Sequence, residues 1–203
     1  MTKWYVGLTV ALGIAVAVFV LGAAVAFRGG ISARTEPSGA EARVARAVRS
    51  FAIPGEAKAR QNPIPASDAV VADGLAHFAD HCASCHGNDG SGQTELGRRL
   101  YPRAPDLRKP PTQELTDGEL FYIIENGVRF TGMPGWGGAG HDAASWGLVR
   151  FIRHLTRLTP QEKAQMERLN PRSAEEWREL QEDDAFLGEG GDTANDAPGH
   201  AHH

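Results

Sequence analysis

The sequence predicts an all-α fold in which a small helical domain follows a membrane-length N-terminal helix and precedes a disordered acidic tail. Three observations carry this. Residues 4–27 contain no charged side chain. Between residues 67 and 170, apolar side chains recur at helical spacing behind recognisable N-caps, and no alternating strand pattern competes. Residues 171–203 hold 2 basic against 9 acidic residues and decay into Gly, Asp, Asn and Pro, too little apolar surface to support packing. At 203 residues, 41% hydrophobic and 23% charged, the chain is neither collagenous nor a many-span membrane protein. Its net charge of -4, without a run of Lys/Arg and interleaved aromatics, points to no nucleic-acid partner. Two cysteines are too few for a disulfide framework or an all-cysteine zinc or iron–sulfur site.

These shifts divide the chain into an anchor (1–27), a linker with a short helix (28–66), a central domain (67–170) and the tail (171–203). Residues 4–27 would span roughly 36 Å as a helix, enough for the ~30 Å hydrocarbon core and longer than a typical signal-peptide core. A retained anchor is therefore expected, although Ala24-Val25-Ala26 offers a small-x-small cleavage site. Lys3 precedes the span and several arginines follow it, so charge alone would keep the C-terminal side in the cytoplasm. In the linker, Arg43, Arg46 and Arg49 fall on one face of a short helix, where they suit solvent or anionic lipid headgroups. The flexible remainder ends in Asn62-Pro63-Ile64-Pro65, a stiff extended entry to the domain.

Within the domain, a helix is expected from about Ser67 to Ala83, capped by Ser67 or Asp68 and burying Val71, Leu75, Phe78 and Ala79. A second runs from about Thr116 to Asn126 behind the capping box Thr116-Asp117-Gly118-Glu119, with Leu120, Ile123 and Ile124 inward and Gly127 closing it. A third covers about Asp142 to Leu158 and buries Leu148, Phe151, Ile152 and Leu155. A short fourth follows at Pro160–Leu169.

The end of the first helix carries the chemistry. Cys82-Ala83-Ser84-Cys85-His86 is the C-x-x-C-H pattern of covalent haem c attachment: two thiols add to the vinyl groups of one haem and the next residue sets an imidazole under the iron. Zinc would need two further ligands at matching spacing, and a dithiol redox site belongs beside a βαβ unit. His86 is the expected proximal ligand. For the opposite side of the iron, Met1 is initiating and Met166 lies in a charged stretch, whereas Met133 sits in the loop RFTGMPGWGG, where a thioether is presented rather than packed; His141 or an open position are the alternatives. A Met/His pair favours a raised potential and electron transfer. His77 and His81 read as exposed surface. His200, His202 and His203 could bind copper, nickel or zinc weakly, or be a solvated tail end.

From Gly74 and Phe78 through CASCHG and TGMPGW to SWGLVRFIRHL, the chain resembles a class I c-type cytochrome over roughly residues 68–158. The resemblance implies one covalently attached haem c and a crossing of the first and last helices, where Gly74 and Phe78 meet Phe151. It implies a proline loop whose carbonyl accepts from the proximal histidine, for which Pro105 is preferred to Pro102. Arg108, Trp136 and Tyr101 are the candidate donors to the haem propionates, although YPRAPDLRKPPT departs from the usual family segment. It further implies attachment of haem outside the bacterial cytoplasmic membrane, which overrules the charge signal at the anchor.

The expected function is membrane-tethered electron transfer between redox proteins in or near the inner membrane, with no small-molecule substrate and no enzymatic activity of its own. Two alternatives stand beside it: a haem sensor or enzyme with a labile sixth ligand, and a metal-handling protein using the histidine-ended tail.

Overall fold

A computed structural model describes residues 2–26, 28, 32, 33, 35–171, 178 and 182. The chain separates into two compact units, Met1–Glu36 and Pro37–His203. All regular structure among the described residues is helical, with no strand.

Among its described residues the first unit holds one helix, α1 (Thr2–Ala26). Its window Trp4–Ala24 has a mean hydropathy of 2.5 and passes, by length and composition, as a membrane span. Thr9 donates its hydroxyl to the Val6 carbonyl at 3.0 Å, satisfying a polar group that lipid could not.

The second unit contains α2 (Gly39–Ala52), α3 (Gly55–Ala59), α4 (Asp68–His81), α5 (Ala83–His86), α6 (Glu95–Arg99), α7 (Pro110–Gln113), α8 (Asp117–Asn126), α9 (Asp142–His154) and α10 (Pro160–Leu169). A 3-10 turn at Leu155–Arg157 follows α9. The expected caps are in place: the Ser67 hydroxyl accepts from Val70 N–H at 3.3 Å, and Thr116 and Glu119 close a reciprocal capping box on α8. Thr159 and Glu162 do the same for α10.

The crossing of α4 and α9 makes the core. Leu75, Phe78 and Ala79 are buried against Leu148, Val149, Phe151 and Ile152, and the Phe78 and Phe151 rings lie 5.2 Å apart, tilted by 55°. Each buried phenylalanine contributes roughly 1.5–3 kcal/mol of transfer free energy. The helices come this close because Gly74 has no Cβ; one built there would stand 2.7 Å from the Gly147 carbonyl oxygen and 2.9 Å from Phe151 Cβ. Met166, in a charged stretch of the sequence, is fully buried in this core. On α8 it is Phe121, rather than Ile123, that is buried with Leu120 and Ile124. Phe121 stacks on Trp146 at 4.1 Å, and the Arg60 guanidinium covers the stack from 4.3 Å.

That arginine lies in the stretch expected to be a flexible linker, and the packing there is a correction. Ile53 and Ala57 are buried. A Cβ on Gly118 would stand 2.0 Å from the Ala57 carbonyl oxygen, so this glycine is what lets α3 lie on α8. Arg150 Nη2 donates to the Ile64 carbonyl at 2.6 Å, and Asn62 Nδ2 donates to the Trp146 carbonyl at 2.9 Å. Arg153 reaches the Gln113 carbonyl at 2.6 Å and Asp117 at 2.9 Å. One helix, α9, thus gathers the lead-in, α7 and α8.

Candidate functional site

The chain leaves α4 through Cys82, whose N–H still donates to the Phe78 carbonyl at 2.8 Å. The single turn α5 then continues it: the N–H groups of Cys85 and His86 both donate to the Cys82 carbonyl, at 3.2 and 2.9 Å. With helical bonds at i, i+3 and i+4, the two cysteines and His86 project from one side of the turn. Gly87, at φ 77°, ends it by reversing the chain.

Three further segments brace the turn. Thr94 donates its hydroxyl to the Ser84 carbonyl at 2.9 Å and accepts from Gly97 N–H at 2.9 Å. Gly97 itself presses on the turn, since a Cβ there would lie 2.2 Å from the Cys85 carbonyl oxygen. Gly92 donates to the His86 carbonyl at 2.7 Å, and Leu107 to the Gly90 carbonyl at 2.8 Å. These bonds lay residues 104–107 against residues 90–92, where a Cβ on Gly92 would meet the Ala104 carbonyl at 2.2 Å. The result brings the Pro105 carbonyl to the His86 ring.

His86 is buried, and its Nδ1 has no partner of ordinary hydrogen-bond geometry. Burial lowers its pKa, opposed in part by the Pro105 carbonyl, which favours the protonated ring. The imidazole is therefore kept neutral, the form that offers a lone pair to a metal. A donor nitrogen held near a backbone carbonyl is also how a protein orients a ligating histidine. Burial, reinforced by Cys85, pushes the Cys82 thiol up to about 12, the reverse of what a thiol–disulfide site requires. Among the described residues no cluster of three or more His, Cys, Asp or Glu side chains is arranged for a metal ion. The residues present fit a haem c: two thiols three residues apart, a neutral buried imidazole and a second-ligand candidate, Met133, on the loop after α8.

That loop leaves α8 at Gly127 (φ 67°). Val128 N–H donates to the Met133 carbonyl at 3.1 Å, and Met133 N–H donates to the Thr131 hydroxyl at 3.1 Å. The far end is tied back to α8 by Trp136 N–H to the Ile124 carbonyl at 2.9 Å. Two contacts tie this loop to segments that adjoin the cysteine turn. The Leu100 side chain lies where a Cβ on Gly132 would be, at 2.7 Å, and the same short segment holds Gly97 on Cys85. On the other flank the Trp136 ring stands edge-on to His81 at 5.2 Å, next to Cys82. Met133 itself is half-buried. Phe130, at φ 63°, is 92% exposed on the outer bend.

Two of the three propionate candidates are committed elsewhere. Arg108 donates to both carboxylate oxygens of Asp106, from Nε at 2.8 Å and Nη2 at 2.9 Å, and to Asp89 at 2.7 Å. Its side-chain bond, strongest of several pulls, holds the Asp106 carboxyl below its usual range. Arg108 therefore staples residue 89 to residue 106 rather than facing His86. The Tyr101 hydroxyl bonds Glu41 on α2. Trp136 remains beside the turn. His77 and His81, expected to be free surface, are half-buried and stack at 4.6 Å. Burial first, then His81 and His141, lowers the His77 pKa against the pull of Asp80. His141 is exposed at the start of α9, on the His77 side. His200, His202 and His203 lie outside the described residues.

Residues 69–152 match the family model described as cytochrome c oxidase, cbb3-type, subunit III. The matched segment runs from the start of α4 to within α9 and includes the cysteine turn, Pro105 and Met133. Over this segment the chain is similar to that family.

Proposed function

We propose that this domain holds one haem c and carries single electrons between redox proteins at the bacterial inner membrane, serving as an electron-transfer unit rather than as an enzyme. The observation that supports it most directly is the cysteine turn, where a neutral, buried His86 shares one helical face with two thiols. Haem bound there supplies an iron that cycles between two oxidation states one electron apart. Cys82 and Cys85 would hold it as thioethers. His86 would be the proximal ligand, its Nδ1–H steered by the Pro105 carbonyl. Met133 would be the second iron ligand, favouring a raised potential. Trp136 stays the candidate donor to a propionate, and Tyr101 and Arg108 are not carried forward.

The similarity to a cbb3-type oxidase subunit bears on the partner. An oxidase-subunit relationship favours a role as the electron entry of a terminal oxidase, with α1 as a retained anchor and the domain outside the cytoplasmic membrane. The deciding experiment is the visible spectrum of matured protein, reduced and oxidised, with and without carbon monoxide. One haem per chain with a low-spin spectrum indifferent to carbon monoxide is expected. Rapid carbon monoxide binding would refute closed Met/His ligation and favour a sensor or enzyme.

A further inference from the structure

An amphipathic helix ordinarily turns its apolar stripe to the core and its charges to water. In α2 the arrangement is reversed. The helix meets the domain through polar groups: Glu41 accepts from the Tyr101 hydroxyl, and Arg49 Nη2 donates to the Pro111 carbonyl at 3.5 Å. Arg49 is also partly desolvated, with its pKa lowered by burial against the pull of Glu119. This corrects the expectation that all three arginines of this helix face solvent or lipid together. The apolar stripe Val44, Val48 and Phe51, at i, i+4 and i+7, points outward, with exposures of 64, 60 and 90%.

We propose that this outward stripe of α2 seats in the interfacial layer of the bilayer that α1 crosses. Two facts select lipid as the occupant. Only residues 27–38 separate the last residue of α1 from the first of α2, and twelve residues reach at most about 40 Å when fully extended. The apolar face is thus confined to the vicinity of the membrane by chain length alone. Arg43 and Arg46 are exposed away from the stripe, giving the helix the basic polar face and aromatic-bearing apolar face of a segment that lies in the headgroup plane. The inference rests on α1 spanning the bilayer and is independent of the haem assignment.

The test uses the full chain in nanodiscs of phosphatidylcholine and phosphatidylglycerol, with a nitroxide label at Val48→Cys, Phe51→Cys or, as a polar-face control, Ser50→Cys. All three side chains are exposed, so the domain tolerates the change; unlabelled background is set by the chain without an added cysteine. Power saturation should find oxygen more accessible than a nickel chelate by several-fold at positions 48 and 51, with the order reversed at 50. Labels at 48 and 51 open to the chelate would overturn the proposal. Labels shielded from both probes would also overturn it, showing that protein, such as the acidic tail, covers the stripe. Failure of the chain to co-elute with nanodiscs would overturn the span and the proposal together, whereas co-elution with water-exposed labels would sink the proposal alone.

Discussion

Gly74 and Gly147 face the same helix crossing, and substituting each by alanine should give opposite results. A Cβ at position 74 meets the Gly147 carbonyl oxygen at 2.7 Å and Phe151 Cβ at 2.9 Å. Neither is the free end of a flexible chain, so α4 and α9 must part by several tenths of an ångström, an overpacking cost of about 1–3 kcal/mol. A Cβ at position 147 meets nothing within 4 Å. Both variants gain roughly 1 kcal/mol of helix propensity, which cancels when they are compared. The difference, about 1–3 kcal/mol, is then the steric term alone. For a domain of this size, unfolding entropy makes 1 kcal/mol equal to about 4 °C, so the two midpoints should differ by about 4–12 °C. Far-ultraviolet circular dichroism during heating of the matured full-length protein reads this directly. Equal midpoints, or Gly147→Ala the less stable, would refute the account of how the core closes.

Met133→Ala should leave the covalent haem in place, lower the reduction potential and admit carbon monoxide, read from the visible spectrum and a redox titration; an unchanged spectrum would remove Met133 from the iron. Gly92→Ala adds a Cβ 2.2 Å from the Ala104 carbonyl at a φ of 74°, and should lower the yield of holoprotein by displacing the Pro105 loop, measured as haem per chain. The Asp106 carboxyl is held low by Arg108, so its contribution is present above the unfolded carboxylate pKa, near 4, and is lost as pH falls through the lower folded value. Acid-unfolding curves of Asp106→Asn should accordingly be flatter than wild type in that window, and superimposable curves would deny the linkage. Glu162 follows the same sign. Burial alone would lift its carboxyl, but Thr159 and His154 hold it below the usual range, so Glu162→Gln should lose stability at neutral pH and converge with wild type in acid.

The long helices were legible because their signals are local. Ser67, Thr116 and Glu119 announce their caps within four residues, and the stripes of α4 and α9 need only helical periodicity. The short helices α3, α6 and α7 were not legible, since their residues are ordered by partners distant in sequence. Ala57 is buried because Gly118 admits it, sixty-one positions on. The same holds at the site. Arg108 has the chemistry of a carboxylate clamp, and the sequence shows that much; that its carboxylates are Asp106 and Asp89 depends on how the 87–92 loop folds back. Phe121 displaced Ile123 from the core because Trp146 stacks on it and Arg60 covers both rings. The His81–Trp136 contact joins residues 55 apart and leaves no periodic trace.

The α4–α9 crossing also imposes an order of events. Gly74 pairs with Gly147 and Phe151, so the core cannot close until more than seventy further residues have emerged. Once it has closed, burial and the neighbouring Cys85 push the Cys82 thiol up to about 12, which disfavours the reactive thiolate at neutral pH. Covalent chemistry at Cys82 is therefore favoured before the core closes, while α9 has not yet docked on α4. Helix α9 acts as a clock, and its docking on α4 ends the interval in which Cys82 reacts readily.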